Sequence, residues 1–295
     1  MKNVKSSLGN KFIVVVATLM MFLAGNAFAA ENKGKVLVVV SSVSEIQLQD
    51  GKTYETGYFL NELAVPVKAL VDAGYQPVFA NPQGNAVSWD KHSLDKKYFA
   101  GDEKQMNQTV KFVENLEALK KPLSLKDVVK KGTSDYVGIF LPGGHAPLGD
   151  LAANSELGDI LQQFHRASKP TALICHGPIA LLSALRNPAD FAKGMISGDA
   201  AARDLASQSW PYAGYRMTVF STAEEKVAEQ YQLNGKVKFY PAEALTEAGA
   251  IMETRKMWQS NVVKDRELIT GQQPFSDEAF SKVFIAALSA QKKSP

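Results

Sequence analysis

The chain has 295 residues, 33 Lys and Arg against 30 Asp and Glu, 45% hydrophobic residues and a single cysteine. That length and apolar content allow one large core, and a lone cysteine excludes an internal disulfide framework. No basic stripe or polybasic patch argues for nucleic acid or a membrane surface as the partner.

Residues 1–29 have the pattern of a cleaved export signal. Lys2, Lys5 and Lys11 precede the apolar run Phe12 to Leu23, and Ala27-Phe28-Ala29 is a small-x-small cleavage site. The apolar run is shorter than the roughly 20 residues of a spanning helix. The reading predicts a mature chain from Ala30, a periplasmic or secreted location and no membrane anchor after cleavage. Loss of three lysines and no acid would lower the formal charge from +3 to 0. Residues 30–295 contain no long linker, repeat or low-complexity tract, so one domain is expected.

Lys35 to Val40 is a continuous Val/Leu run, the signature of a strand buried on both faces. Leu60, Leu63, Ala64, Val67, Leu70 and Val71 recur at helical spacing, with Ala73-Gly74 as the stop. Pro66 would clash with the carbonyl four residues back, so the helix is expected to kink at Glu62 or to begin near Pro66, leaving Glu62 on irregular backbone. By pattern alone Glu62 is as compatible with a solvated face as with a site. Gln76 to Ala80 reads as a second strand. Asn81 to Gly101 reads as a polar surface excursion, followed by a helix over Glu103 to Lys120 and a short helix capped by Ser124. These insertions could cap a site.

Asp135 to Leu141 reads as a third buried strand that runs into Pro142-Gly-Gly-His-Ala-Pro147. Gly143 and Gly144 at a strand's carboxyl end can bring backbone close to a ligand or offer N–H groups to an anion, and His145 could line the same site. Leu157 to Ala167 is a helix whose His165 is assigned a structural role. Thr171 to Ile174 is a short buried strand, and Cys175-His-Gly-Pro178 comes directly after it.

Gly177 allows unusual backbone geometry and Pro178 suits a helix start, so Cys175 is expected on a strand-to-helix turn at the carboxyl edge of the sheet. The positive end of the next helix would lower the thiol pKa and favour the nucleophilic thiolate. His176 could contribute an oxyanion-binding N–H or its ring. A buried, inert cysteine is the competing reading. Further on, Asn187 to Pro211 reads as a second polar excursion and Tyr215 to Phe220 as a strand. Ser221 or Thr222 would cap a helix with Glu224 and Glu225 in its first turn. Phe239 to Gly249 reads as a helix, Ala250 to Thr254 as a strand, Asn261 to Ile269 as a hairpin and Ser276 to Ala290 as a closing helix.

Dinucleotide, phosphate-loop, zinc-helix, Cys-x-x-Cys and serine-elbow motifs are absent from the sequence, so no cofactor and no metal are expected. With four histidines spread along the chain, a metal site would require tertiary convergence.

Thr56-Gly57 with Glu62, Leu141-Pro-Gly-Gly-His145, Ala172-Leu-Ile-Cys-His-Gly-Pro178 and Leu268-Ile-Thr-Gly-Gln272 together resemble the ThiJ/PfpI superfamily. Within it, the larger chaperone-related and glyoxalase III-like branch is most similar. The resemblance spans nearly all of residues 30–295 and implies a class I glutamine-amidotransferase-like, flavodoxin-like three-layer sandwich. It implies a mainly parallel sheet and a strained cysteine elbow. It further implies Glu62 beside the thiol, oxyanion donors at Gly144 and His176, and an acid behind the histidine, at Glu224 or Glu225.

Three functions are compatible with these residues. One is a cysteine-dependent, glutathione-independent glyoxalase acting on a small carbonyl substrate. The others are a holdase that protects unfolded client proteins, and an amidase or peptidase using the same thiol. A homodimer is also compatible with the sequence.

Overall fold

The computed structural model describes residues 32–291. The expected export signal lies outside those residues. Among the described residues no helix is long and apolar enough to cross a membrane.

Seven strands form the central sheet: β1 (Lys35–Val39), β2 (Gln76–Asn81), β3 (Leu123–Ser124), β4 (Tyr136–Leu141), β5 (Thr171–Ile174), β6 (Val262–Asp265) and β7 (Leu268–Gly271). Their order is β6-β7-β5-β4-β1-β2-β3. All neighbours are parallel except β6 and β7, which form the expected antiparallel hairpin. Val38 lies opposite both Phe79 and Phe140, and Leu173 lies opposite both Leu141 and Thr270.

Alternation along β1 divides the interior. Val36, Val38 and Val40 face one core with helix α1 (Leu60–Asp72) and the closing helix Asp277–Gln291, whereas Leu37 and Val39 face the other with helix α2 (Ser155–Arg166). Leu60, Leu63, Val67, Phe280 and Phe284 cover the first face; Leu157, Ile160, Leu161 and Phe164 cover the second. Helices on both faces of a mostly parallel sheet make the flavodoxin-like α/β sandwich that the resemblance implies. Parallel strands put their carboxyl ends on one edge, so the turns after β4 and β5 become neighbours.

Several local expectations are corrected. α1 is continuous through Pro66, so Glu62 occupies its first turn instead of irregular backbone. Phe59 precedes the helix in extended conformation and donates its N–H to the Gly143 carbonyl at 3.2 Å, which docks the helix start on the glycine loop. Val71 is 46% exposed, so the buried stripe ends at Leu70. The helix expected over Glu103 to Lys120 stops at Glu114, and Glu117–Lys120 is a separate turn that buries Leu119.

The second polar excursion contains two helices, Pro188–Ser197 and Ala200–Ser207, and delivers Phe191 and Trp210 to the core. Only Arg216–Met217 of the expected Tyr215 to Phe220 strand is a strand, paired with Ile251–Met252 away from the main sheet. Beyond it the chain is held by single bonds, Thr218 N–H to Thr270 Oγ1 and Phe220 N–H to the Cys175 carbonyl, so no ladder continues.

Candidate active site

Cys175 is the first residue after β5 and adopts φ 58°, a left-handed conformation that costs on the order of 1–3 kcal/mol for a residue with a side chain. Its surroundings impose it: the Cys175 N–H donates to the Gly271 carbonyl at 2.9 Å, and its own carbonyl accepts from Phe220 N–H at 2.9 Å. The strain therefore falls on the cysteine itself, as the resemblance implies. Gly177 is required for a different reason, since an added Cβ would approach the Leu141 carbonyl oxygen to 2.7 Å. The chain then continues as a 3₁₀ stretch, Gly177–Ala184, in place of the expected α-helix.

Glu62 is fully buried, projecting from the first turn of α1 toward the elbow. A Cβ added at Gly143 would stand 2.5 Å from Glu62 Oε2, 2.8 Å from the Ile174 carbonyl and in overlap with Cys175 Cβ. Only a glycine lets the loop pass between acid and thiol. We expect Gly143→Ala to cost about 1–3 kcal/mol by overpacking and to disrupt the acid–thiol contact, read from denaturant unfolding together with thiol alkylation rates.

Neither Glu62 oxygen has a well-formed hydrogen-bond partner among the described residues. Burial dominates and pushes Glu62 up to about 8; the nearby Cys175 sulfur and the Gly143 and Gly144 amides favour its ionised form less strongly. At neutral pH the acid therefore keeps its proton, which makes it a donor to the sulfur. Burial, then the Glu62 charge, raises the thiol well above its ordinary value, while the Gly144 N–H works the other way. This corrects the expectation of a thiol activated by a helix field: the cysteine is 2% exposed and faces a carboxyl group. When Glu62 holds the proton, its repulsion of the thiolate disappears.

His176 Nδ1 lies 3.3 Å from Cys175 Sγ, within reach of the thiol proton. Its Nε2 lies 2.6 Å from Glu225 Oε2, and His145 Nε2 lies 2.9 Å from Glu225 Oε1. An ionised carboxylate can only accept, so both imidazoles present Nε2–H to Glu225. That tautomer leaves His176 Nδ1 free to take the thiol proton. Burial, then His145, lowers His176, keeping it a neutral base. Burial opposes charge on His145 too, but Glu225, with Asp90 and Glu229 behind it, raises its pKa overall. Burial likewise opposes charge on Glu225, yet His176 and His145 together hold it well below the usual carboxylate range.

Glu224 is not part of this chain of contacts. It completes a capping box with Ser221 for the helix Thr222–Ala228 and accepts from Trp258 N–H and Gln272 Nε2. One residue of helical rotation separates a structural acid from one on the histidines. His165 bonds to Glu267, as its structural assignment requires.

Ligand atoms of His145, His176 and Glu225 converge within 4.8 Å, a donor set that sequence spacing did not reveal. Both carboxylate oxygens already bond imidazoles, so a divalent cation there would have to displace two N–H protons.

The structure also adds walls. Phe59, Tyr98, Phe220, Gln232, Trp258 and Pro274 complete a small cavity above Cys175, Gly144, His145 and His176. Tyr98 arrives from the first insertion, which does reach the site; Trp258 and Pro274 come from the stretch between Ala250 and Ser276, which holds no candidate site residue by sequence. Motif spacing carried no signal for them. Trp258 at φ 64° is a bulky residue in a left-handed conformation, visible only in three dimensions.

A flavodoxin-like sandwich carrying a buried Cys-His-Glu relay and a second acid on a cysteine elbow defines a class of thiol-centred α/β proteins. The chain matches the DJ-1/PfpI family over residues 54–187, the span that holds Glu62, the glycine loop and the Cys-His turn. It is 27% identical over 260 residues to the Protein/nucleic acid deglycase HchA of Staphylococcus aureus, covering 86% of this chain and 80% of that protein. Among solved structures, Rapid Encystment Protein 24 KDa of Francisella tularensis aligns with TM-score 0.64 and 24% identity, over 86% of this chain and 99% of that one. Glyoxalase III of Candida albicans aligns with TM-score 0.61 and 22% identity, over 87% and 98%. The two structural likenesses establish the fold.

Proposed function

We propose that the protein is a thiol-dependent enzyme of the glyoxalase and deglycase type, converting an α-oxoaldehyde such as methylglyoxal to its 2-hydroxy acid without glutathione. The observation that carries this reading is the pair of proton-handling groups at one sulfur: Glu62 buried against Cys175, and His176 Nδ1 at 3.3 Å. The names of the similar deglycase and glyoxalase III support it.

His176 takes the thiol proton as sulfur attacks the aldehyde carbon, and Glu62 gives its own proton to the resulting alkoxide, which yields a hemithioacetal and leaves Glu62 deprotonated. The proton on that carbon then moves to the adjacent carbonyl carbon through an enediol, with the deprotonated Glu62 as carrier; the product is a thioester. Water cleaves the carbon–sulfur bond, releasing the hydroxy acid and restoring the thiol. The net change is addition of one water, with no external oxidant or reductant. The Gly144 N–H is the donor for developing oxyanions.

The test is a panel of dicarbonyls with wild type and Cys175→Ala, products identified by NMR. Wild type should form lactate from methylglyoxal and Cys175→Ala none; equal lactate formation by both would overturn the reading. A holdase would protect clients equally well with Cys175→Ala and form no product.

We further propose that the chain acts outside the cytoplasm. Fractionation of the native host should recover a protein whose N-terminus is Ala30 from the periplasm or medium; a chain beginning at Met1 in the cytosol would overturn this.

A further inference from the structure

The cavity over Cys175 has a volume of only about 20 Å³. That is room for one water-sized group. An α-oxoaldehyde can place its reacting carbonyl there, but its substituent must extend elsewhere. Three wall residues, Tyr98, Gln232 and Trp258, also line a surface cleft of about 680 Å³, within the usual range for small-molecule sites.

The cleft is unusual in what it exposes. Among the described residues ten large apolar side chains are exposed, and four of them, Leu94, Tyr231, Trp258 and Phe275, line this one cleft. Such a concentration marks a recognition surface, whereas scattered exposed apolar residues do not. Its aromatic rings continue inward to the catalytic histidine. Trp258 packs on Phe220 at 6.0 Å and Phe220 on His176 at 4.7 Å between centroids, while Tyr98 joins Phe275 at 5.6 Å.

Two backbone features hold the rings in place. Trp258 is kept in its left-handed conformation with its N–H donated to Glu224 Oε1 at 2.8 Å. Tyr231 and Gln232 belong to a π-helical turn, Glu229–Leu233, a form that is frequent at functional sites.

The rim decides the chemical class. Lys91 is paired with Glu55 at 2.7 Å and Lys97 with Asp95 at 3.1 Å, and Lys97 Nζ also lies 4.8 Å over the Tyr98 ring. Both cations are matched by carboxylates, so the cleft offers an occupant neutral aromatic faces. We propose that it is a subsite for an uncharged aryl substituent, so that the enzyme prefers aryl α-oxoaldehydes, represented by phenylglyoxal, over methylglyoxal. The preference rests on the proposed reaction at Cys175; the binding of the aryl group does not.

Two measurements test it. In the first, kcat/KM of the full chain is compared for phenylglyoxal and methylglyoxal, in wild type and in Tyr231→Ala and Phe275→Ala. Wild type should favour phenylglyoxal by about tenfold or more, as expected for one or two good aromatic contacts, and each variant should reduce that ratio several-fold. In the second, Cys175→Ala is titrated calorimetrically with mandelate and with lactate, the two hydroxy-acid products. Mandelate should bind at least about tenfold tighter, and adding Phe275→Ala should erode the difference. Equal binding of mandelate and lactate, or a substrate ratio insensitive to both cleft substitutions, would overturn the subsite. Turnover of neither aldehyde by wild type would instead refute the proposed reaction, and the product titration would still decide the subsite.

Discussion

Glu62→Gln is expected to lower kcat on methylglyoxal by about 10²–10⁴-fold, the usual contribution of a positioned acid–base group, while one thiol per chain remains open to alkylation. Glutamine preserves the shape of a fully buried side chain and removes only the transferable proton. Retention of turnover within about threefold of wild type would exclude Glu62 as the proton carrier.

The same substitution carries a pH signature. Glu62 is raised from 4.5 to about 8, so the native state keeps a proton that the unfolded chain loses. The stability tied to that proton is fully present below about pH 4.5 and is lost as pH rises through about 8. Glu62→Gln should therefore gain stability relative to wild type between pH 5 and 8, seen as a rising denaturant midpoint. A pH-independent difference between the two would mean that the carboxyl is ionised in the fold.

The second large effect belongs to Glu225. Glu225→Gln takes the shared carboxylate from two buried imidazole N–H groups, and should cost about 1–3 kcal/mol in unfolding free energy near neutral pH, as for a buried donor left unsatisfied. It should also release His176 from the tautomer that presents Nδ1 to the thiol, so thiol alkylation and turnover fall together, by about a hundredfold or more. The wild-type pH dependence runs opposite to that of Glu62. His176 and His145 depress Glu225 against the effect of burial, so its contribution is present above the ordinary carboxylate range and declines as the solution becomes strongly acidic. A double-mutant cycle of Glu225→Gln with His145→Gln should show coupling beyond additivity. Wild-type alkylation and turnover in Glu225→Gln would remove it from the relay.

How much of this was legible beforehand depended on whether the information is local. The Val/Leu run of β1 and the apolar run before Cys175 state their own burial, because a strand covered on both faces needs apolar residues throughout. The order of β4 and its Gly-Gly turn, and of β5 and its Cys-His turn, placed two turns on one edge once the sheet was parallel. Ser221 capped its helix as its spacing with Glu224 required. These are effects of neighbours within about four residues, or of a periodicity that the chain displays directly.

The sequence by itself therefore determined the sheet's buried strands, the elbow at Cys175 and the glycine loop opposite. Tertiary structure alone decided the state of the thiol, raised by burial and a carboxyl 113 positions earlier in the chain. It also decided between Glu224 and Glu225, because a rotation of about 100° per helical residue turns one toward its own cap and the other toward two histidines. The aromatic walls at Tyr98, Phe220 and Trp258 were decided in the same way. Desolvation and the convergence of distant side chains depend on which segments pack together, and no local spacing encodes that.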